Sequence, residues 1–213
     1  MTTLLFVRHG ESRANKYHLY TGQTHIPLSE LGKAQATLTG KYIAKNYKVD
    51  KIYSSDLIRA YDTACSISEA LGMLPVYSHP DLREIYAGSW EGARNTQLES
   101  ICAEAFDKWK NDVANCHCPD GETVAELADR FYKKVLEIAA ENDGKTVVIA
   151  SHATPIRAIT TIAMYGSIEK MADIPWATNA SVTVIEVENG KLTLKEASID
   201  SHLGVLSTAL WKD

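Results

Sequence analysis

Two apolar runs, Leu4–Val7 and Thr146–Ala150, constrain this chain more than any other feature in it. Each has the length of a strand, and neither alternates between apolar and polar residues, which is the pattern of strands covered on both faces of a parallel sheet. Each also breaks at once into a histidine. The first run gives Arg8-His9-Gly10, and the second gives Ser151-His152 ahead of Pro155, which is placed to open a helix. In a doubly wound sheet such junctions open from one carboxyl edge, where α/β proteins do their chemistry.

The remaining segments fit that frame. Ser29 to Tyr47 carries Leu31, Ala34, Leu38 and Ile43 near helical spacing, which predicts a helix buried on that stripe. Ile52–Ser54 reads as a short strand, Ser55-Asp56 as a helix start, and Leu57, Ala60, Ala64, Ile67 and Leu71 as the apolar stripe that follows. Leu74 to Tyr77 is a weaker strand, Asp81 to Gly92 a loop, and Asn95 to Lys110 one or two irregular helices. Thr123 and Glu126 form a capping box ahead of Val124, Leu127, Phe131, Val135 and Ile138, and Asp143-Gly144 ends that helix. Ser181–Glu188 and Lys191–Ser198, joined by Asn189-Gly190, form a hairpin. The expected fold is a three-layer α/β/α arrangement, with a mostly parallel central sheet and a C-terminal antiparallel hairpin. A single domain over residues 1–213 carries a helical insertion around 93–121, and the place of Trp211 stays open.

A net charge of −5 leaves no global positive field to draw the chain to nucleic acid or an anionic membrane. Any anion site must then be a local pocket. The N-terminal apolar run is far shorter than a signal-peptide core or the ~20 residues of a membrane span, so a cytoplasmic protein is expected. Cys116-His117-Cys118 is the one cysteine cluster, and no further ligand stands beside it at zinc-site spacing. No metal and no cofactor is expected.

His9, Arg59 and His152 all fall at strand-to-helix junctions, so all three point out of the same sheet edge. Two arginines, two histidines and helix N-termini gathered there suit a compact anion, because guanidinium forks and free backbone N–H groups match phosphate oxygens. One cation at ~6 Å, at an effective dielectric of ~20, contributes about 2.8 kcal/mol, or roughly two pKa units, against protonating a nearby imidazole. A histidine kept neutral in this way is a nucleophile, and the second can hydrogen-bond the group being transferred. The leaving oxygen needs an acid. The loop from Asp81 to Glu91 is the place for it, and Glu84 is the candidate.

With these residues assembled, the chain resembles the histidine phosphatase superfamily, on its phosphoglycerate mutase-like branch, over nearly its whole length. Arg8-His9-Gly10-Glu11-Ser12, with Asn15 beyond, resembles the nucleophile motif. Tyr20-Thr21-Gly22 and Pro27-Leu28-Ser29-Glu30-Leu31-Gly32 resemble the segment closing the phosphate pocket. Ser54-Ser55-Asp56-Leu57-Ile58-Arg59-Ala60 resembles the second arginine's motif, Leu82-Arg83-Glu84 with Gly88-Ser89-Trp90-Glu91-Gly92 the proton donor's loop, and Ser151-His152 with Ile156-Arg157-Ala158 the second histidine's. The resemblance implies His9 as the phosphorylated nucleophile, Arg8, Arg59 and His152 as the phosphate pocket, and Glu84 as the proton donor. It also implies Ser12, Asn15, Thr21, Gly22 and Ala153 as substrate-binding positions. His25, Asp62 and Ala153 stand where the family often has Asp, Gln and Gly. Ala153 keeps its backbone N–H, so that change is mild, and His25 reads as an exposed loop residue.

Three functions follow as alternatives. The mutases of this family carry a tyrosine three residues after the proton donor, a lysine eleven after it, and an arginine pair further along. Here those places offer Ala87, Asn95 and no pair. A phosphomonoester hydrolase acting on a small phosphorylated metabolite through phosphohistidine is favoured, with a 2,3-bisphosphoglycerate-dependent phosphoglycerate mutase as the alternative. A non-catalytic phosphate-binding module is disfavoured, because every member of the catalytic set is present. The expected partner is a small phosphomonoester, and a homodimer is possible.

Overall fold

The computed structural model describes residues 1–208; Trp211 lies outside the described residues. In chain order the strands are β1 Thr2–Arg8, β2 Lys51–Ser54, β3 Val76–Ser78, β4 Thr146–Ser151, β5 Val182–Glu188 and β6 Lys191–Ile199. The α-helices are α1 Arg13–Lys16, α2 Glu30–Asn46, α3 Ile58–Ala70, α4 Leu98–Ile101, α5 Ala103–Asn111, α6 Val124–Glu141 and α7 Ala153–Tyr165. The sheet order is β3-β2-β4-β1-β5-β6. β1 to β4 pair in parallel, and β5 pairs antiparallel with both β1 and β6.

Successive side chains on β1 divide between two cores, as the pleat requires. Leu4 and Phe6 join Phe131, Val135, Ile156 and Ile159 under α6 and α7. Leu5 and Val7 join Ile43, Ala64 and Ile67 under α2 and α3. Both apolar runs are therefore covered on both sides, and the layers are α/β/α. A separate cluster, built around Trp90, Trp109, Val113 and Leu127, packs beside the sheet and holds the 85–118 segment.

The structure corrects several boundaries. α2 does not bury the stripe expected from its apolar residues: Ala34 is exposed, while Gly32, Gln35, Ala36, Thr39, Gly40 and Ile43 face inward. Small residues win that face because α2 lies close against α3. A Cβ at Gly40 would come within 2.9 Å of the Ser66 carbonyl oxygen. α3 starts at Ile58 rather than at Ser55-Asp56, and β3 covers Val76–Ser78 rather than Leu74–Tyr77. α7 starts at Ala153, so Pro155 lies within its first turn instead of opening it. The Thr123–Glu126 capping box forms as expected, with Thr123 Oγ1 accepting from Glu126 N at 3.1 Å.

Gly10 marks where the loop after β1 meets α2. A Cβ there would overlap the Gly32 carbonyl oxygen, and both partners are backbone. Gly10→Ala should destabilise the protein by about 1–3 kcal/mol. In a chain of this size that lowers the thermal midpoint by several degrees, roughly 2–4 °C per kcal/mol, and a melting curve unchanged from wild type would contradict the close approach.

Candidate active site

Arg8 ends β1 and His9 follows it at the sheet's carboxyl edge. The His9 backbone N–H donates to Ser151 O at 3.0 Å, so the two histidine junctions are tied together by the main chain. The His9 carbonyl accepts from Asn179 Nδ2 at 3.2 Å. His9 is 4% exposed, and its ring lies 5.2 Å, centroid to centroid, from the edge-on ring of His152.

Hydrogen bonds assign the His9 tautomer. Its Nδ1 stands 2.7 Å from Gly10 O, and a carbonyl can only accept, so the proton sits on Nδ1. Nε2 therefore carries a lone pair. Arg59 Nε–H donates to that lone pair at 3.2 Å. Burial holds the His9 pKa well below its usual value, with Arg59 and then Arg8 adding to the effect. His152 is lowered well below the usual range for the same leading reason, with Arg59 the next contributor.

Both arginines are buried. Burial pulls Arg8 to about 9 and Arg59 to about 10, with Glu84 opposing the shift in each case, so both stay cationic at neutral pH. Arg8 spends Nη1 on Ala177 O at 2.6 Å, and among the described residues its buried Nε has no partner. Arg59 donates from Nη1 to Thr24 O at 2.9 Å and from Nη2 to Gly22 O at 2.8 Å, so it fixes the Gly22–Thr24 turn while facing His9.

Glu84 faces the same space. Its Oε1 accepts from Ile85 N at 2.9 Å and its Oε2 from Thr154 N, in the first turn of α7, at 3.3 Å. The main chain beneath it is clamped by Arg130 on α6, which donates to the carbonyls of Asp81, Arg83 and Glu84 at 2.9–3.0 Å. Arg130 also pairs with Glu122, whose other carboxylate oxygen receives Tyr86 N at 3.1 Å. Glu91 accepts from Gln23 N at 2.7 Å and Thr24 Oγ1 at 2.6 Å, joining the Asp81–Glu91 loop to the Gly22–Thr24 turn.

These groups open into a pocket of about 610 Å³. Arg8, His9, Arg59 and Glu84 line it, together with Asn15, Thr21, Gly22 and Ala153. His152 is fully buried edge-on to the His9 ring, with Nε2 2.8 Å from Ser55 Oγ. Asn15 Oδ1 accepts from Ser12 N and Ser12 Oγ, both at 3.0 Å, which leaves its amide N–H groups free to donate elsewhere. Ser12 is not among the lining residues. It is buried at the N-cap of α1, where its Oγ accepts from Asn15 N at 3.1 Å. His25 is exposed and also stands outside the lining.

Several residues of the pocket had no signal in the sequence. Thr154, Asn179, Trp109, Trp176 and Thr208 all line it. Trp176 is held by Arg157, whose guanidinium lies 4.2 Å from the ring centroid and whose Nε donates to Ile174 O at 2.6 Å. Trp109 then packs against both Trp176 and Tyr20, at 5.6 Å from each. Cys116 and Cys118 are buried in the cluster with Ile85, Ala87 and Trp90, and Cys116 Sγ donates to Ala105 O at 3.5 Å.

Residues 4–200 match the histidine phosphatase superfamily, branch 1, and the chain belongs to that family. Within it, the chain is a hydrolytic phosphatase. It is 32% identical to phosphoserine phosphatase 1 of Hydrogenobacter thermophilus, over 96% of this chain and 95% of that protein. Among solved structures, Bacillus stearothermophilus YhfR superposes with a TM-score of 0.89 at 28% identity, covering 95% of this chain and 100% of that one. A mycobacterial glucosyl-3-phosphoglycerate phosphatase complexed with VO3 superposes with a TM-score of 0.84 at 27% identity, covering 93% and 99%.

Proposed function

We propose that this protein hydrolyses small phosphomonoesters by passing the phosphoryl group through His9 Nε2. The observation that carries the reading is the His9 tautomer. A lone pair held neutral by burial faces two cationic guanidinium groups, in a pocket that also holds a carboxyl group. In the first step Nε2 bonds to phosphorus, the ester P–O bond breaks, and Glu84 gives its proton to the leaving oxygen. In the second step the Glu84 carboxylate takes a proton from water, the water oxygen bonds to phosphorus and the P–N bond breaks. Arg8 and Arg59 carry the charge on the phosphoryl oxygens throughout, and His152 hydrogen-bonds the group being transferred. Asn15, Thr21, Gly22 and Ala153 serve as binding positions. Ser12 acts one step back, by fixing Asn15.

Hydrolysis is favoured over mutase action by the cations facing the pocket. A mutase must hold a second acidic group of its substrate while excluding water. Here Lys16 is the one fixed cation besides Arg8 and Arg59 among the described lining residues. Arg94, Lys108 and Lys110 stand outside the lining, and Lys108 is paired with Asp112 at 2.8 Å. Supplied with 3-phosphoglycerate and 2,3-bisphosphoglycerate in the presence of a chelator, the protein should release inorganic phosphate faster than it forms 2-phosphoglycerate. Faster isomerisation, or loss of activity to the chelator, overturns this reading.

The pH dependence has a definite sign. Protonating Nε2 removes the nucleophile, and the His9 pKa lies well below 6.5, so the active form persists as pH falls through 6.5. Because a phosphomonoester itself titrates near about 6, the clean measurement is on the free enzyme. Ring ¹⁵N NMR should report His9 as neutral and Nδ1-protonated through that range, and a midpoint at or above the ordinary histidine value contradicts the assignment.

A further inference from the structure

Ser55 follows β2 and is fully buried, and its backbone N–H donates to Ala150 O at 2.9 Å, which pins it against the end of β4. Among the described residues its hydroxyl oxygen has two neighbours. Leu57 N–H donates to it at 3.2 Å, and His152 Nε2 stands 2.8 Å away. The first contact uses Oγ as an acceptor. The hydroxyl hydrogen then has one acceptor within reach, which is a lone pair on His152 Nε2. The reverse arrangement, with Nε2–H donating to Oγ, strands the hydroxyl hydrogen in a buried place. It also leaves His152 Nδ1 as a bare lone pair in a site built for an anion. Among the described residues Nδ1 itself is buried with no partner, so the unspent hydrogen-bonding group of the ring is at that end.

We infer that Ser55 is a positioning residue that fixes His152 as the Nδ1–H tautomer, making the imidazole a hydrogen-bond donor to the phosphoryl group. The two histidines then carry their protons on the same ring nitrogen and use opposite ends. His9 spends Nδ1–H on Gly10 O and presents Nε2 to phosphorus, whereas His152 spends Nε2 on Ser55 and presents Nδ1–H to a phosphoryl oxygen. Burial, with Arg59 nearby, keeps His152 from carrying both protons, so the tautomer rather than the charge decides what the ring can do. Ser55 lies four residues ahead of Arg59, so one short segment supplies a phosphate-binding cation and the group that orients the second histidine.

The inference rests on reading His152 as a ligand of the phosphoryl group, and its test is independent of turnover. Multiple-bond ¹H–¹⁵N NMR on the ¹⁵N-labelled full chain at neutral pH, with the His152 signals assigned by their loss in His152→Gln, should show a protonated Nδ1 and an unprotonated Nε2. In Ser55→Ala the shifts should move toward a mixture of tautomers, and kcat should fall about tenfold, the lower end of what removing such an orienting partner costs. Ser55→Thr, which keeps the hydroxyl, should restore both. A wild-type His152 protonated on Nε2 overturns the inference without any variant, and so do shifts left in place by Ser55→Ala. The nucleophile assignment fails separately, if wild-type enzyme forms no phosphoprotein.

Discussion

His9→Ala should abolish hydrolysis, with kcat falling by on the order of 10⁴-fold or more, the scale on which removing a covalent nucleophile registers. The loss should be confined to chemistry. Arg8 and Arg59 hold their own carbonyl partners at Ala177, Gly22 and Thr24, so the anion pocket survives removal of the imidazole. Vanadate or inorganic phosphate should therefore still bind to the variant. Arg59 Nε–H loses its acceptor at Nε2, which frees one more donor for the ligand's oxygens. The positive counterpart is a phosphoprotein. Wild-type enzyme quenched during turnover of a ³²P-labelled phosphomonoester should carry label that is stable to alkali and lost in acid, as an N–P bond requires. Label absent from His9→Ala and present in wild type assigns the intermediate to this ring. If His9→Ala keeps more than a few per cent of its activity, phosphorus is attacked by something other than Nε2, and the proposed mechanism is wrong.

How far the sequence exposed this arrangement depends on how local each signal was. β1 and β4 were legible because both faces of each strand are covered, which leaves an uninterrupted apolar run, and their histidines follow directly. The hairpin was legible because Asn189 and Gly190 both adopt positive φ, at 49° and 77°, as the two central residues of that turn require. α2 was misread on its buried face because hydrophobic spacing says nothing about how closely two helices approach. Gly32 and Gly40 face inward for want of room, and Leu31 and Leu38 are left half-buried. The helix start assigned to Ser55-Asp56 failed for a different reason. Leu57 keeps extended backbone, at φ −69° and ψ 128°, so the helix begins only at Ile58.

The same distinction divides the pocket. Its end at Arg8, His9 and Arg59 is built from residues at or shortly after the ends of strands, where a short motif fixes both residue type and place. Its other walls come from loops whose position is decided by distant side chains. Trp176 is set by Arg157 on α7, and Thr208 by Asn179, whose backbone N–H donates to Thr208 O at 3.0 Å. No periodicity or turn signal marks such residues. Arg130 is the clearest case: on α6 it is one more charged residue between apolar positions, and only the folded chain turns three of its hydrogen bonds onto the carbonyls of Asp81, Arg83 and Glu84 and two onto Glu122. That clamp makes the chemistry of Glu84 separable from the placement of its loop.

Glu84→Gln removes the transferable proton and leaves the loop in position, since Arg130 grips the main chain and not the carboxyl group. One compromise comes with the amide. Both carboxylate oxygens accept from backbone N–H groups, and the amide can satisfy only one, so the shorter contact to Ile85 N at 2.9 Å should be kept and the longer one to Thr154 N lost. With alkyl phosphates, which need their leaving oxygen protonated, kcat should fall by about 10²- to 10⁴-fold, the usual contribution of a general acid. Vanadate affinity should change far less. An aryl phosphate, whose phenolate departs unprotonated, separates the two roles. The first step should stay fast while the second, which needs Glu84 to take a proton from water, is slow. The variant should then release one equivalent of phenolate in a burst and accumulate phosphohistidine. A uniform slow rate with no burst, together with a matching loss of vanadate binding, means that Glu84 shapes the pocket and another group handles the proton.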